Sequence, residues 1–405
     1  MTEAAKPVDR RHGFAASDAS HRVTPTELFF DLVFVYAITQ VTELLSTDPG
    51  GERMVQGVVV LCLLWWCFCC FAWLGNAVRA DLGRLRWVLL AVMGLLFVIA
   101  LAVPEAYDDL PGGLNGPLVF VTCYLAIRLL HLSAYQISDP GNRGLRTVLL
   151  RSLTSLLIST AFLYAGALVG GHGQIPLWVV GFGVDFIGIY LTGSSGWEVR
   201  APGHWAERHG LIVIIALGES IVATGLGAVE EPVSTALIAA ALLALALSAT
   251  LWWLYFNGLQ QGAERRLEEL EGRARTALAR DGYTYLHLPL VGGVVILALG
   301  LRTTLGQIAD VEHYDLSEPL HGVVAWALGG GVGLYLVGLA GFRMRVTGTL
   351  RVHPADVIGV LLLVAWPIVE RVPALGALAG LSVLVALLTV RERRWSGLTD
   401  GVAPA

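Results

Sequence analysis

The residues most able to do chemistry in this sequence stand in apolar surroundings. The stretch TELFFDLVFVYAITQVTELL (26–45) carries the carboxylates Glu27, Asp31 and Glu43. Taken as a helix at 100° per residue, it puts Thr24, Glu27, Asp31, Phe34, Ile38 and Thr42 on one stripe. YLAIRLLHLSAY (124–135) carries Arg128 and His131, which share a face by their i, i+3 spacing. Asp185 stands in VVGFGVDFIGIY, and Glu219 with Ser220 in LIVIIALGESIVATG. An ionisable side chain inside a bilayer costs at least about 2.5–3 kcal/mol, so it faces protein or water and has a partner. The chemistry open to such a set is the binding of a small solute or ion and, for a carboxyl group that burial keeps protonated, proton coupling.

These residues need membrane helices to hold them. The chain has 405 residues, 55% hydrophobic and 15% charged, with mean hydropathy +0.67, whereas soluble chains carry about 25% charged residues. Apolar runs of about 20 residues, enough to cross ~30 Å of hydrocarbon, fall near 26–45, 54–76, 86–103, 117–137, 145–168 and 175–195. A second set falls near 209–227, 233–259, 284–303, 320–341, 351–371 and 373–391. The expectation is an all-α integral membrane protein of about twelve transmembrane helices. The runs are continuous, not alternating, which argues against a β-barrel.

Placing the basic residues on this map gives an orientation. Of 27 Lys and Arg, 22 fall on the side shared with the N-terminus, among them Lys6, Arg84, Arg143, Arg208, Arg273 and Arg391; only Arg53 and Arg371 fall on the other. By the positive-inside rule both termini are cytoplasmic. The outer loops are acidic, as in PEAYDDL (104–110) and DVEHYDLSE (310–318). The first 25 residues are polar and basic without an apolar h-region, so the first helix is expected to act as the insertion signal. Twenty-six of the 27 basic residues are Arg, which suggests a GC-rich bacterial source and its plasma membrane. A net charge of −5 carries no nucleic-acid signal.

GSSGWEVRAPGHWAER (193–208) divides the helices six and six. The expected organisation is a cytoplasmic segment 1–25, a first six-helix half 26–195, a cytoplasmic linker 196–208, a second half 209–391 and a cytoplasmic tail 392–405. Glu27 and Glu207 open corresponding helices, and LWWCF (64–68) matches LWWLY (251–255). Such halves are parallel repeats, with sites between them. Counting inward from the cytoplasmic side, Asp31 and His131 lie at similar depth with Arg128 nearly a turn deeper. Asp31 with Arg128 and His131 is the simplest pairing, either a binding site or a static clasp between two helices.

Other patterns are weaker. CFCC (67–70) lies inside an apolar span without a second ligand pair, so its cysteines are read as packing. His204, Glu207 and His209 start a helix, where capping and salt bridging explain them more economically than a metal does; no metal or cofactor is expected. Gly329 and Gly333 have the G-x-x-x-G spacing of close helix contact. AERRLEELEGRARTALAR (263–280) is a charged helical extension with a solvated or headgroup-facing side.

ELFFDLVFVYAITQ and ERHGLIVIIALGESIV (207–222) closely resemble the bacterial low temperature requirement A family of polytopic membrane proteins. The likeness continues through the WW-containing second helix, YLAIRLLHLSAY and YTYLHLPLVGGVVILALG (283–300), and so covers nearly the whole chain. The family motifs fall on Glu27, Phe30, Asp31, Arg128, His131, Glu207, Arg208, His209, Gly218, Glu219 and Ser220. The family is named for a growth phenotype at low temperature, and the resemblance implies no particular substrate. FFDLVFVYAIT is also similar to the Phe-Ser-Asp helix of potassium channels built from paired six-helix repeats. Here Phe30 replaces the Ser, and RHGLIVI stands where the motif should recur, so only half the signature is present.

Three functional readings stay open. The first is a secondary carrier, proton-coupled or not, with a substrate or ion site built from Glu27, Asp31, Arg128, His131, Asp185, Glu219 and Ser220. Glu207, Arg208 and His209 then gate its cytoplasmic mouth. The second is a cation channel. The third is a non-transporting membrane protein, either a stress or envelope factor or an enzyme acting on lipid, whose buried charges are structural. No catalytic constellation stands out, so an enzyme is not expected. The expected partners are membrane lipids and an unidentified small solute or cation, with a homodimer allowed.

Overall fold

The computed structural model describes residues 10, 11, 14, 15, 17, 21–139, 141–192, 197–229 and 231–399. Lys6, the GSSG run at 193–196 and the tail beyond 399 lie outside the described residues. The described residues are all-α apart from the antiparallel pair β1 Arg10–Arg11 and β2 Phe14–Ala15. The long helices are α1 Pro25–Thr47, α2 Gly51–Ala77, α3 Leu85–Ala102, α4 Gly116–Ser138, α5 Arg143–Val169, α6 Gly171–Thr192, α7 Pro202–Leu226 and α8 Thr235–Phe256. After the shorter α9 Leu259–Glu269 and α10 Gly272–Leu278, a π-helical stretch at Ala279–Tyr285 leads into α11 His287–Ala309. The chain continues with α12 Gly322–Thr347, α13 Pro354–Val364, α14 Trp366–Val369 and α15 Ala374–Thr399. Among the described residues nine helices are long and apolar enough to cross a membrane.

Two departures from the expected spans have local causes. The apolar run at 351–371 breaks into α13 and α14 at Ala365, because Pro367 lacks the amide that a continuing helix would donate to the Leu363 carbonyl, which accepts from Trp326 Nε1 at 3.0 Å instead. The run expected at 209–227 starts earlier: Pro202 sits at the first helical position of α7, where its missing N–H costs nothing, and adds two turns carrying His204 and Arg208.

The chain divides into two compact units. The first comprises Met1–Leu44, Met54–His209 and Glu264–Arg280, and the second Leu45–Arg53, Gly210–Ala263 and Asp281–Ala405. α2 is central to the first: from Leu63 to Ala77 every side is buried, the mark of a helix surrounded by protein. Cys67, Cys69 and Cys70 lie in this core. Asn115 and Asn142 cap α4 and α5 through their side-chain oxygens. In the charged stretch 264–280, Leu267 and Leu278 are buried, and Arg275 donates to the carbonyls of Leu267 (3.0 Å) and Leu270 (2.6 Å), closing the end of α9.

In the second unit α11 is buried all round between Leu290 and Leu301. Glycine lets α12 approach it: a Cβ at Gly331 would lie 2.5 Å from the Leu297 amide nitrogen, and one at Gly293 2.5 Å from that of Tyr335. Of the expected G-x-x-x-G pair, Gly333 makes close contact, 2.7 Å from its ideal Cβ to the Gly359 carbonyl on α13, while Gly329 has ordinary room. Elsewhere α3, α5 and α8 turn residues such as Trp87, Leu157 and Leu242 outward, the apolar surface a bilayer would cover.

Candidate functional site

α1 starts with a capping box. Thr24 is the cap, Pro25 opens the helix, and Glu27 closes the box: its amide donates to Thr24 Oγ1, and its Oε2 accepts from the Thr24 amide (3.0 Å) and hydroxyl (2.8 Å). Glu27 Oε1 is left to face His204 Nε2 at 2.8 Å. One turn further in, Asp31 meets Arg208, with Nη2 2.9 Å from Oδ1 and Nη1 donating to Oδ2 at 3.1 Å. The same Nη1 donates to the Glu27 carbonyl at 3.1 Å.

Glu27 and Asp31 on α1 therefore face His204 and Arg208 on α7 as two rungs, each set spaced i, i+4, so the first turns of the two helices run side by side in the same direction. None of the four is more than 2% exposed. The Arg208 guanidinium also lies over the rings of Phe68 (5.4 Å) and Phe30 (5.8 Å), which cover its apolar faces.

A second centre joins α4 to α6. Arg128 donates through Nη1 and Nη2 to Asp185 Oδ2 and Oδ1, and the Tyr124 hydroxyl donates to Oδ2 at 2.9 Å. Arg128 and Asp185 are fully buried, and Trp66 packs beside the guanidinium at 5.8 Å. Gly181 and Gly188 let α6 come close to α5, where added Cβ atoms would press on Leu163 and Ser155.

The pairing expected from depth is thus corrected. Asp31 is held by Arg208 and not by Arg128 or His131, and Asp185 is the carboxylate of Arg128. His131, a turn beyond Arg128, packs edge-on against Phe71 and Tyr135, and neither of its ring nitrogens makes a hydrogen bond of normal geometry.

The remaining expected residues are placed as follows. Glu207 accepts from the Val23 amide at 3.1 Å, tying the segment before α1 to α7. His209 is buried, its Nδ1 2.9 Å from the Trp205 carbonyl and its ring against Trp65 and Phe68. Glu219 and Ser220 belong to the second unit. There both are buried, and Ser220 Oγ lies 2.8 Å from Ser248 Oγ on α8. Glu43, further along α1, is partly buried.

His21, Tyr124 and Asn76, whose Nδ2 lies 3.4 Å from His204 Nδ1, were not among the expected residues, and His204 was expected only to cap or salt-bridge the start of a helix. The i, i+4 spacing of His204 and Arg208 after Pro202, matching Glu27 and Asp31 after Pro25, is the signal that points to the first rung. His21 lies outside the spans. Its ring stacks on His204 at 4.5 Å. Burial, reinforced by the neighbouring His204, holds its imidazole below the ordinary value, so it is neutral at neutral pH.

The family model described as "Bacterial low temperature requirement A protein (LtrA)" matches residues 22–390. The chain is 32% identical over 378 residues to a protein of Rhizobium meliloti (strain 1021) named "Uncharacterized protein RA0937", an alignment covering 89% of this chain and 86% of that protein. No solved structure matches. The chain belongs to the bacterial low temperature requirement A family.

Proposed function

We propose that this member of the bacterial low temperature requirement A family is a secondary carrier of a small charged or zwitterionic solute in a bacterial plasma membrane. On this reading twelve helices span the bilayer, since α6, α13 and α15 join the nine long apolar ones, and the two halves are parallel repeats with both termini cytoplasmic. Glu219 is the residue of proton coupling. Catalysis forms no part of the proposal.

The observation that carries it is the pairing of the buried charges. Asp31 and Asp185 are each held by a guanidinium and Glu27 by an imidazole. Intramembrane charges that line a cation pathway must be available to the ion, whereas Asp31 and Asp185 are already balanced by guanidinium groups, which counts against the channel reading. Balanced pairs suit a carrier instead, because a solute bearing both charges can replace one partner and then the other without leaving an isolated charge in the membrane.

Saturable flux into proteoliposomes tests the proposal, with ions, amino acids and polyamines screened against an imposed pH gradient. Uptake that saturates and responds to the gradient is expected. Unitary currents in a planar bilayer would select the channel instead, and sealed, correctly folded vesicles that move nothing would select the structural reading.

A further inference from the structure

We propose that His21, Glu27 and His204 form a site for one divalent first-row transition cation, of which zinc is the natural probe, fastening the segment before α1 to the first turn of α7. The three side chains each present one donor atom, and these atoms all lie within 4.8 Å of one another. Four-coordinate zinc with bonds of ~2.0–2.1 Å needs its donors roughly 3.3 Å apart, so the Glu27–His204 pair at 2.8 Å opens slightly and the His21 ring turns from its stack on His204 to aim a nitrogen at the ion. All three residues are more than nine-tenths buried.

His21 supplies an independent observation. Its Nε2 is buried and makes no hydrogen bond, an arrangement that leaves a polar atom unsatisfied. Hydrogen bonding therefore accounts for Glu27 and His204 but not for the third member, whose lone pair a cation would use.

The surroundings resemble the outer support of a metal centre. Thr24 holds Glu27 Oε2 from both its amide and its hydroxyl, which fixes the carboxylate and leaves Oε1 as the single ligand oxygen. Gly75 on α2 keeps room beside that oxygen, since a Cβ there would lie 2.6 Å from Oε1 and 3.8 Å from His204 Cε1. Loading replaces the proton between His204 Nε2 and Glu27 Oε1 by the cation. That proton moves to Nδ1, at the expense of the 3.4 Å contact with Asn76 Nδ2. Two imidazoles and one carboxylate favour zinc and its transition-metal neighbours over magnesium or calcium, which prefer all-oxygen sites, and a fourth position remains for water. The site is independent of whether the chain transports.

The test uses the full chain in detergent, stripped with EDTA and titrated with Zn2+ alone by calorimetry, with Co2+ as a spectroscopic stand-in. Expected are one ion per chain, Co2+ absorption typical of low coordination number, no competition from Mg2+, and binding weakened about tenfold or more by His21→Ala and by His204→Gln. His21→Cys keeps a ligand at position 21 and should add a sulfur-to-cobalt charge-transfer band, a positive signal that misfolding cannot imitate. Zinc binding of equal strength in wild type and His21→Ala, or His21→Cys that binds Co2+ without the thiolate band, would overturn the proposal. So would the absence of zinc binding to the wild type.

Discussion

Arg208 and Asp31, 177 residues apart in sequence, meet inside the protein with Nη2 2.9 Å from Oδ1, and neither is more than 1% exposed. This pair replaces the partner expected for Asp31, and its energetics are testable. Asp31→Asn leaves the guanidinium buried without a counter-charge, which costs about 3–5 kcal/mol. Arg208→Met in the same chain removes the second desolvation penalty and restores most of that loss. A thermodynamic cycle from unfolding in detergent should give strong coupling for Asp31 with Arg208, and near-additivity, within about 0.5 kcal/mol, for Asp31 with Arg128. The opposite ranking would return Asp31 to Arg128.

At the second centre, Tyr124→Phe removes the hydrogen bond to the Asp185 carboxylate, worth about 1.5–3 kcal/mol when the acceptor is charged, together with the long one that the hydroxyl accepts from Arg128 Nη1 at 3.3 Å. Arg128→Met should cost more, because it strands Asp185 at zero exposure. Equal losses from the two variants would mean that the carboxylate is neutral and the ion pair is not formed.

Nine long apolar helices among the described residues fall where the sequence placed spans, since about 20 continuous apolar residues specify a span almost without regard to tertiary packing. What the apolar runs hide is where a helix extends beyond the hydrocarbon. Arg208 was counted among the cytoplasmic-side charges because the span was drawn from 209, yet α7 begins at Pro202 and brings His204 and Arg208 alongside Glu27 and Asp31. Depth alone could not identify the partner of Asp31, because it says nothing about which helices are neighbours. Similarly, VVGFGVDFIGIY does not reveal the partner of Asp185: Gly181 and Gly188 let α6 approach α5, but the carboxylate turns to Arg128 on α4.

Two glycines on α12 separate close packing from mere helix flexibility. Gly331→Ala forces a methyl to within 2.5 Å of the Leu297 amide nitrogen, an overpacking that costs about 1–3 kcal/mol. Gly329→Ala meets only the Leu362 carbonyl at 3.7 Å and gains up to about 1 kcal/mol of helix propensity. Thermal midpoints should therefore move in opposite directions, and a shared direction would contradict the described α11–α12 approach.

The exposed loop after α11 gives a pH signature. Asp310 hydrogen-bonds the His313 ring and raises its pKa, while its own carboxyl is lowered by the same contact. The stabilising contribution of charged His313 is complete below the unfolded-state value and is lost as pH rises through the raised folded-state value. In a histidine-labelled sample the His313 resonances should titrate above the ordinary imidazole range, and Asp310→Asn should bring them back. An unchanged midpoint in that variant would remove the contact from solution.

The proposed orientation, with both termini cytoplasmic, rests on the distribution of the basic residues and can be tested by labelling. Cysteines introduced at Asp109 and Tyr314 should react with an impermeant thiol reagent from outside intact cells, and one at Glu268 only after permeabilisation. Labelling of Glu268 from outside would invert the map.

The most direct measurement of the carrier proposal is pH-gradient-driven uptake by proteoliposomes containing wild type and Glu219→Gln. The substitution keeps the size of the buried side chain but removes its titratable proton. The predicted result is saturable wild-type uptake that rises with the gradient, and a folded variant whose uptake no longer responds to it. Uptake in Glu219→Gln that keeps its full pH dependence, or unitary currents from the wild type, would contradict the account.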